Sequence, residues 1–411
     1  MKAIALFDSC WDGHHPTYFR FFTRTLLELG YQVVAFCPEP KKLHEWVSSH
    51  CPNQIEQFYT FTAQEPEIPS TSLFDTSFYS ISPLRRVITT LAYWKYAAEA
   101  LQNASLKIGF TPDLVFFPWI DSYLSPLLTH HLVNKIFPYN WSGLYFRPLH
   151  LRVKQRLSFV RLGPLNPDAV LKSSYCRSIA LLDEGVADKL QNKLNKKPVV
   201  VFPDFADQSP PDTNYSIIQQ IREKAKGRKI IGSLGSQSKR KGILTLLKVA
   251  EQSIAEDWFF IFVGSLTEYA FLPEELMQIR HLAQSPPHNC FFHFQHIPDE
   301  AQFNALVKEC DVLSVVYENF PYSSNMLAKA AIFKKMVIAS ENFCIGERVR
   351  KFRLGLTIAE SNVRQYVEAL RCLFNLKKAN FHLIKPDFEG YCHLHSLEQV
   401  TLSFQKILAA I

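Results

Sequence analysis

The chain has 411 residues, of which 47% are hydrophobic, 20% charged and 13% aromatic, and its formal net charge is +7. This composition excludes a disordered chain, a coiled coil and collagen, and the length suits two or three domains of roughly 100–200 residues each. The mild positive charge favours an anionic small ligand or a membrane face over a dedicated nucleic-acid surface.

Strand-like and helix-like segments alternate from the N-terminus onward. The apolar run Ala3–Phe7 predicts a strand, residues 18–29 repeat apolar side chains at helical spacing, and residues 31–36 predict the next strand. This order indicates a βαβ unit of a parallel sheet. The other elements predicted in this half are a helix over 85–101 and strands over 114–117 and 178–182.

A proline-rich stretch at 203–214 separates two such patterns and predicts a linker. We therefore place one domain at 1–202 and a second at 215–388, each a doubly wound α/β sheet whose ligands lie beyond the carboxyl ends of its strands. The strands predicted in the second domain cover 229–233, 258–263, 290–294, 312–316 and 336–339, and the helices cover 242–255, 300–309 and 323–333.

The most informative segment of the second half is the turn from Gly232 to Gly242, which follows a strand and opens a helix. Its backbone amides, the N-terminus of the helix and the cations Lys239, Arg240 and Lys241 would together hold a diphosphate. The order of residues is not that of a P-loop, which argues against ATP hydrolysis. The alternative is an exposed basic turn whose charges are solvated.

A second polar segment, 317–329, again follows a predicted strand and enters a helix. Ser323, Ser324 and Asn325 offer hydroxyl groups, a side-chain amide and backbone N–H groups at the start of that helix. Ordinary N-capping of the helix is the alternative explanation for these three residues.

In their order of segments, residues 229–360 resemble the C-terminal half of family-4-type, or group 1, glycosyltransferases with the GT-B fold. The resemblance rests on the Lys241-Gly242 turn, on residues 291–298 before a short helix, on Glu318-Asn-Phe-Pro after a strand, and on Lys329-Ala-Ala. It implies an α/β chain of two doubly wound Rossmann-like domains facing across a cleft.

The same resemblance implies a sugar-nucleotide site, and a terminal helix within 389–411 that packs on the first domain. In the family, a basic residue of the first turn and the later helix N-terminus hold the diphosphate, while the loop after the strand at 291 flanks the base. The donor-binding candidates are therefore Gly13, Gly235, Ser236, Lys239, Lys241, His296, Ile297, Glu318, Tyr322, Ser323, Ser324, Asn325 and Lys329.

Two departures from the family pattern bear on this site. The usual arginine six places before the lysine of the Lys-Gly turn is Gly235 here. The glutamate pair of the family is not reproduced, because its second member falls on Lys329 and its first on Pro321, with Glu318 three residues away. The second glutamate binds the ribose in the family, whereas a lysine in its place would neutralise phosphate.

The N-terminal half resembles the acceptor domain of the same fold, with the loop Gly13-His14-His15-Pro16 facing the cleft. His15 and His14 are predicted to hydrogen-bond the sugar or to move a proton near neutral pH. Asp121, after the strand at 114–117, is the other catalytic candidate, and the alternative is that it caps a short helix together with Ser122.

Residues 151–161 mix basic and apolar side chains, which fits contact with an anionic membrane surface or, alternatively, an amphipathic helix packed on the first domain. No window is apolar enough to span a bilayer, and the N-terminus lacks the features of a signal peptide. The nine cysteines are scattered without a Cys-x-x-Cys pair. We therefore expect a reduced cytoplasmic protein, with peripheral contact at the inner face of a membrane as an option.

Together these features predict a glycosyltransferase that moves a sugar from a nucleotide-diphosphate donor, with UDP favoured, to a hydroxyl of a glycan, a lipid or a small molecule. The resemblance implies retention of the anomeric configuration. No Asp-x-Asp motif stands at a strand end, so we expect no metal ion or other cofactor, and we expect no nucleic-acid partner. Two alternatives remain open: a nucleotide-sugar epimerase of the same fold, and a non-catalytic scaffold or binding protein.

Overall fold

The computed structural model describes residues 2–11, 13–66, 83–153, 166–375 and 385–409. The chain divides into two compact units, one made of Met1–Pro203 with Leu397–Ile411, and the other of Asp204–Ser396. Each unit contains one parallel β-sheet with accompanying helices, which confirms the predicted pair of doubly wound α/β sheets.

The first unit is built on seven strands: β1 (Ala3–Phe7), β2 (Gln32–Cys37), β3 (Phe58–Thr62), β4 (Leu114–Phe117), β5 (Trp141–Tyr145), β6 (Ile179–Leu181) and β7 (Val199–Val201). Neighbouring strands are parallel, in the spatial order β3-β2-β1-β4-β5-β6-β7. Every side chain of β1 is buried, which is typical of a parallel strand covered on both faces.

The helices of the first unit are α1 (His15–Glu28), α2 (Pro40–His50), α3 (Pro83–Ile108), α4 (His130–Ile136), α5 (Leu149–Arg152), α6 (Ala187–Lys193) and the C-terminal α15 (Leu397–Leu408). Helix α1 begins three residues earlier than its apolar spacing predicts. Pro16 lies in its first turn, where the missing N–H of proline costs no hydrogen bond. His15 is therefore a helical residue directly beyond the first loop.

The second unit has six strands: β8 (Lys229–Leu234), β9 (Trp258–Val263), β10 (Cys290–His293), β11 (Val312–Val315), β12 (Met336–Ser340) and β13 (Gly355–Ile358). They are parallel, in the order β10-β9-β8-β11-β12-β13. The strands at 258–263 and 312–315 are almost continuous apolar runs, which explains why the sequence predicts them closely.

The helices of the second unit are α7 (Ser216–Ala225), α8 (Ile243–Gln252), α9 (Pro273–Gln284), α10 (Glu300–Glu309), α11 (Met326–Ile332), α12 (Phe343–Phe352), α13 (Val363–Asn375) and α14 (Phe388–Leu394). Helix α11 begins three residues later than predicted. Ser323 and Ser324 therefore precede the helix, and Asn325 is its N-cap residue without a side-chain capping bond.

Strands β3, β5, β7 and β13 are absent from the prediction because their apolar patterns are short or interrupted. Strand β5, for example, contains Ser142 and Gly143 in the middle of the sheet. The buried Ser142 hydroxyl donates to the carbonyl oxygen of Ser178 at 2.8 Å, so its burial leaves no unsatisfied donor.

The boundaries between the units differ in detail from the predicted ones. Asp204, Phe205 and Ala206 fall within the predicted linker, yet all three are buried and belong to the second unit. At the C-terminus the chain returns to the first unit at Leu397, because α14 packs on the second unit through contacts such as the Tyr391 ring against Phe352.

Helix α15 completes the core of the first unit. Its Phe404 is 1% exposed and lies 5.2 Å from Phe22, 5.1 Å from Phe116 and 5.3 Å from Phe202, measured between ring centroids. These rings come from α1, β4 and the end of β7, so the last helix joins elements that are far apart in the sequence. No helix within the described residues combines the length and apolar character needed to cross a bilayer.

We expect Phe404→Ala to lower the free energy of unfolding by about 3–5 kcal/mol, because it removes a buried ring and leaves a cavity among three others. Leu402→Ala on the same helix is the control: Leu402 is 40% exposed, so its truncation should change stability by less than about 1 kcal/mol. Urea unfolding followed by tryptophan fluorescence measures both, and equal losses would contradict the role of Phe404.

Candidate functional site

Lys241 lies at the carboxyl end of the second sheet. It closes the one-turn 3₁₀ helix Lys239–Lys241, and its Nζ donates to the carbonyl oxygen of Leu234, the last residue of β8, at 2.6 Å. Nζ also lies 5.9 Å from the ring centroid of Tyr317, which follows the neighbouring strand β11. An ammonium has three N–H donors, and Leu234 is its one acceptor among the described residues, so two donors remain for a ligand.

Gly235 makes room for this ammonium. Its φ of +84° lies in the left-handed region, and a Cβ atom there would stand 2.9 Å from Lys241 Nζ and 3.5 Å from a ring carbon of Phe303. An arginine at position 235, which the resemblance leads one to expect, would therefore displace Lys241. The glycine leaves Lys241 as the cation at the end of β8.

Burial, reinforced by the neighbouring charge of Arg240, lowers the pKa of Lys241 to about 7. Part of the amine is therefore uncharged at neutral pH. An anion placed against Nζ would favour the charged form and raise this pKa, so that anion binding and protonation of Lys241 are coupled.

Gln237 fixes the loop that carries Gly235, and it is not among the residues predicted for the site. The residue is fully buried, and its Nε2 donates to the carbonyl oxygens of Ser233 at 2.8 Å and Gly235 at 3.0 Å. Its Oε1 accepts from the Ser233 hydroxyl at 2.9 Å. A glutamine two positions after a glycine turn is the only signal that the sequence offers for this role.

The other polar residues of the turn are already engaged by protein groups. Lys239 forms an ion pair with Glu275 at 2.5 Å, and the Ser236 and Thr267 hydroxyls share a hydrogen bond of 2.7 Å. The Arg240 guanidinium lies over the Phe320 ring, 4.4 Å from its centroid. Lys239 and Arg240 are therefore held by other protein groups, whereas the Lys241 ammonium lies at the end of β8.

Glu318 occupies the N-terminus of α8, which is the predicted position of a diphosphate. Its carboxylate accepts from the Thr245 hydroxyl, in the first turn of that helix, at 2.8 Å. Gly242, the N-cap, has a φ of +68°, and a Cβ there would stand 2.3 Å from the Val316 carbonyl oxygen. A carboxylate at a helix N-terminus stabilises the helix dipole, so in this structure Glu318 already neutralises that helix end.

Ser323 belongs to a buried charged cluster rather than to an open helix end. Its hydroxyl donates to the carboxylate of Asp204 and accepts from Arg348 Nη1 at 2.8 Å. Arg348 is 1% exposed and pairs with Asp204 at 3.5 Å. The Ser323 oxygen therefore stabilises a buried ion pair within the second unit.

The remaining candidates of the second unit do not converge on Lys241. Ser324 Oγ donates to the Tyr317 hydroxyl at 3.4 Å, and the Tyr322 ring packs edge-on against Phe320. In the loop after β10, His296 is exposed and Ile297 is buried. No described contact joins either residue of that loop to the amine of Lys241.

Lys329 uses all of its donors inside the protein. Its Nζ contacts Glu300 Oε2 at 2.7 Å, Asn304 Oδ1 at 2.5 Å and the carbonyl oxygen of Asp207 at 2.9 Å. The side chain is 2% exposed. The expectation that Lys329 neutralises phosphate therefore does not match this geometry, because no N–H of the ammonium is left for a ligand.

At the carboxyl end of the first sheet, His15 contacts Asp8, an acidic residue outside the predicted site. His15 Nδ1 lies 2.7 Å from Oδ2 of Asp8, the residue directly after β1. The imidazole also stacks on the Trp119 ring, with centroids 4.1 Å apart and an interplanar angle of 19°. The sequence does contain a signal for this contact, because Asp8 directly follows the first predicted strand and lies in the loop that leads to His15.

Asp121 and His14 have different surroundings. The two carboxylate oxygens of Asp121 accept backbone N–H bonds from Phe146 at 2.9 Å and Arg147 at 2.8 Å, so Asp121 joins the loops after β4 and β5. Burial raises the pKa of Asp121 to about 6 in spite of these bonds. His14 is exposed and is the N-cap residue of α1, and Gly13 before it has a φ of +60°.

The basic segment at 151–161 is described only at its start. Arg152 there binds Asp183 through Nε at 2.7 Å and Nη2 at 2.5 Å, so its charge is paired within the first unit. Residues 154–161, on which the prediction of membrane contact depends, lie outside the described residues.

Comparison with known protein families identifies the second unit. Residues 215–386 match the family model of glycosyl transferases group 1. These residues form a glycosyl transferases group 1 domain. The matched range contains Lys241, Glu318 and Lys329, so the resemblance drawn from the sequence is confirmed for the part of the chain that carried it. The chain matches none of the curated proteins.

Solved structures confirm the predicted GT-B fold. HepE from Anabaena in complex with UDP and glucose is similar with a TM-score of 0.62 and 14% identity, covering 100% of each chain. Sucrose-phosphate synthase from Thermosynechococcus elongatus has a TM-score of 0.64 and 17% identity, again covering 100% of each chain. The E. coli trehalose-6-phosphate structure bound with UDP-2-fluoro glucose has a TM-score of 0.66 and 11% identity over 100% of this chain and 99% of that one.

The lowered pKa of Lys241 predicts a pH-dependent stability. The unfolded lysine keeps its ordinary pKa near 10.5, so between pH 7 and 10 the unfolded chain binds more protons and stability rises with pH. Lys241→Met removes this effect, and we expect the variant to melt above the wild type at pH 7, with the gap closing by pH 10. Lys248→Met, at an exposed position of α8, is the control. A gap that does not change with pH would contradict the lowered pKa.

Proposed function

We propose that this glycosyltransferase moves a sugar from a UDP-sugar to a hydroxyl group of an acceptor, and that Lys241 binds the diphosphate of the donor. The observation that carries the proposal is the Lys241 ammonium, which has two unused donors at the carboxyl end of β8 inside a group 1 domain. Ligands of doubly wound sheets collect at this edge.

The solved structures support UDP as the nucleotide. HepE is similar in complexes with UDP, with UDP and glucose and with UDP-glucose, and the E. coli structure holds UDP-2-fluoro glucose. Titration calorimetry with UDP, GDP and ADP tests this choice, and the tightest binding is expected for UDP. Tighter binding of GDP or ADP would assign another nucleotide, and no binding of any of the three would favour a non-catalytic scaffold.

The chemistry explains why a buried cation suits this position. When the bond between the anomeric carbon and the diphosphate breaks, negative charge grows on the leaving phosphate oxygen. An ammonium in a partly buried setting stabilises that charge more strongly than it would in water. Because Lys241 gains its proton as the anion binds, the full charge is present when the bond breaks.

Retention of the anomeric configuration and a reaction without a metal ion complete the proposal. The resemblance to group 1 enzymes supports retention, and a sequence without an Asp-x-Asp motif at a strand end supports a reaction without metal. Proton NMR of the first product formed from UDP-glucose reports the anomeric configuration directly. The same spectrum would reveal an isomerised free UDP-sugar if the chain were an epimerase. Turnover should also survive an excess of EDTA.

Lys241→Ala should weaken UDP binding roughly tenfold or more, because a charge-assisted contact of this kind contributes about 1.5–3 kcal/mol. Lys248→Ala removes the same charge from an exposed position of α8 and should leave the affinity within about twofold of the wild type. Calorimetry at pH 7 measures both. Unchanged affinity in Lys241→Ala would exclude this residue from the donor site.

A further inference from the structure

We propose that Gln237 is a positioning residue of the donor site. Its buried side-chain amide fixes the direction of the Leu234 carbonyl group, and this carbonyl holds the Lys241 ammonium where the diphosphate binds. The role rests on the proposed binding of UDP by Lys241, and it adds a residue that changes the affinity for UDP without touching the nucleotide. All of these groups belong to the second unit.

The side chain of Gln237 is fully bonded inside the protein, so it does not bind UDP itself. The residue is fully buried. Its two amide N–H groups serve three carbonyl oxygens, which lie 2.8 Å (Ser233), 3.0 Å (Gly235) and 3.2 Å (Val263) from Nε2. Oε1 accepts from the Ser233 hydroxyl at 2.9 Å, which fixes the orientation of the amide. A buried side chain whose polar atoms are all bonded in this way has a single orientation.

The backbone of Gln237 is held as firmly as its side chain. Its N–H donates to the carbonyl oxygen of Ser265 at 2.7 Å, and its carbonyl oxygen accepts from the N–H of Thr267 at 2.8 Å. Both partners lie in the loop after β9, so these bonds continue the parallel pairing of β8 and β9 beyond the ends of the two strands. The amide of Gln237 is therefore attached to a fixed backbone.

These bonds determine where the Leu234 carbonyl points. The N–H of the peptide group between Leu234 and Gly235 donates to the carbonyl oxygen of Val263 in β9 at 2.9 Å. In a trans peptide the C=O points away from the N–H, so the Leu234 oxygen points to the opposite side of β8, where Lys241 Nζ binds it at 2.6 Å. The carbonyls before and after it are both bound by Gln237. The Leu234 carbonyl cannot turn without breaking those bonds.

The position of the Lys241 ammonium depends on this carbonyl. A lysine side chain is long and flexible, and the Leu234 oxygen is the hydrogen-bond acceptor of Nζ among the described residues. If that oxygen turned away, the ammonium would lose its acceptor and adopt other rotamers. Displacing a binding group by about 1 Å is enough to weaken its action on a ligand. Removing the amide of Gln237 should therefore weaken UDP binding through Lys241.

A second buried amide of the same unit provides a matched control. Asn289 is also fully buried, and its Nδ2 donates to the carbonyl oxygen of Ala250 at 2.8 Å. It directly precedes β10, so it lies at the amino end of the sheet, whereas Gln237 lies at the carboxyl end. Replacing either amide removes buried hydrogen bonds and lowers stability. A loss of UDP affinity is expected only for the amide beside Lys241.

The test is a double-mutant cycle on the full chain, with UDP affinity measured by titration calorimetry at pH 7. Gln237→Met removes the amide and keeps the length of the side chain. Alone, it should weaken UDP binding about fivefold or more, because residues of one hydrogen-bond network are coupled. Added to Lys241→Ala, it should change the affinity by less than about twofold, since the cation through which it acts is gone. Asn289→Leu should stay within about twofold in both backgrounds.

Equal weakening by Gln237→Met in both backgrounds would overturn the proposal, because a general loosening of the turn does not depend on Lys241. Unchanged affinity in Gln237→Met alone would overturn it as well. If this variant fails to fold, as judged by circular dichroism, Ser233→Ala takes its place, because it removes the hydroxyl that orients the amide. A loss of more than about twofold only where Lys241 is present then supports the role, and any other result contradicts it. Absence of UDP binding in the wild type, or unchanged affinity in Lys241→Ala, would instead refute the proposed function.

Discussion

In a parallel sheet every strand ends at the same edge, and this constraint brings together the groups of each candidate site. Asp8, Trp119 and Phe146 are far apart in the sequence, yet they follow three adjacent strands of the first sheet. In the second sheet, β8 and β11 are neighbours, so that Leu234 and Tyr317 both lie close to Lys241 Nζ. Because adjacent strands end side by side, residues in the short loops that follow them lie close enough to contact each other.

The burial of the Lys241 amine lowers the stability of the folded chain at neutral pH. Burial lowers the pKa of this amine to about 7, so the folded chain holds an amine that is only partly charged at neutral pH. Gln237 and Gly235 keep the loop in place around it, the first through buried hydrogen bonds and the second through a backbone conformation that L-residues rarely adopt. A site that binds an anion can carry this strain because the ligand supplies the missing counter-charge.

The sequence was sufficient for the alternation of strands and helices, since buried parallel strands are apolar runs and the helices repeat at their own period. It also indicated Lys241 and His15 as candidates, because both come shortly after predicted strands, and their roles stay predictions. It was not sufficient to predict hydrogen bonds between side chains and loops that are far apart in the sequence. Asp121 binds the loop after β5, and the sequence does not predict β5 because Ser142 and Gly143 interrupt its apolar run. Ser323 binds Asp204, which lies in a stretch predicted as linker. Such contacts depend on tertiary packing, which local patterns do not encode.

The environment of Lys329 constrains how that position can change over evolution. The family pattern has a glutamate here, whereas this chain has a lysine whose ammonium contacts Glu300, Asn304 and the Asp207 carbonyl. A glutamate at position 329 would bring a second carboxylate against Glu300 and leave the Asn304 and Asp207 oxygens facing another acceptor. Lys329→Glu is therefore compatible with this packing only together with a compensating change at Glu300.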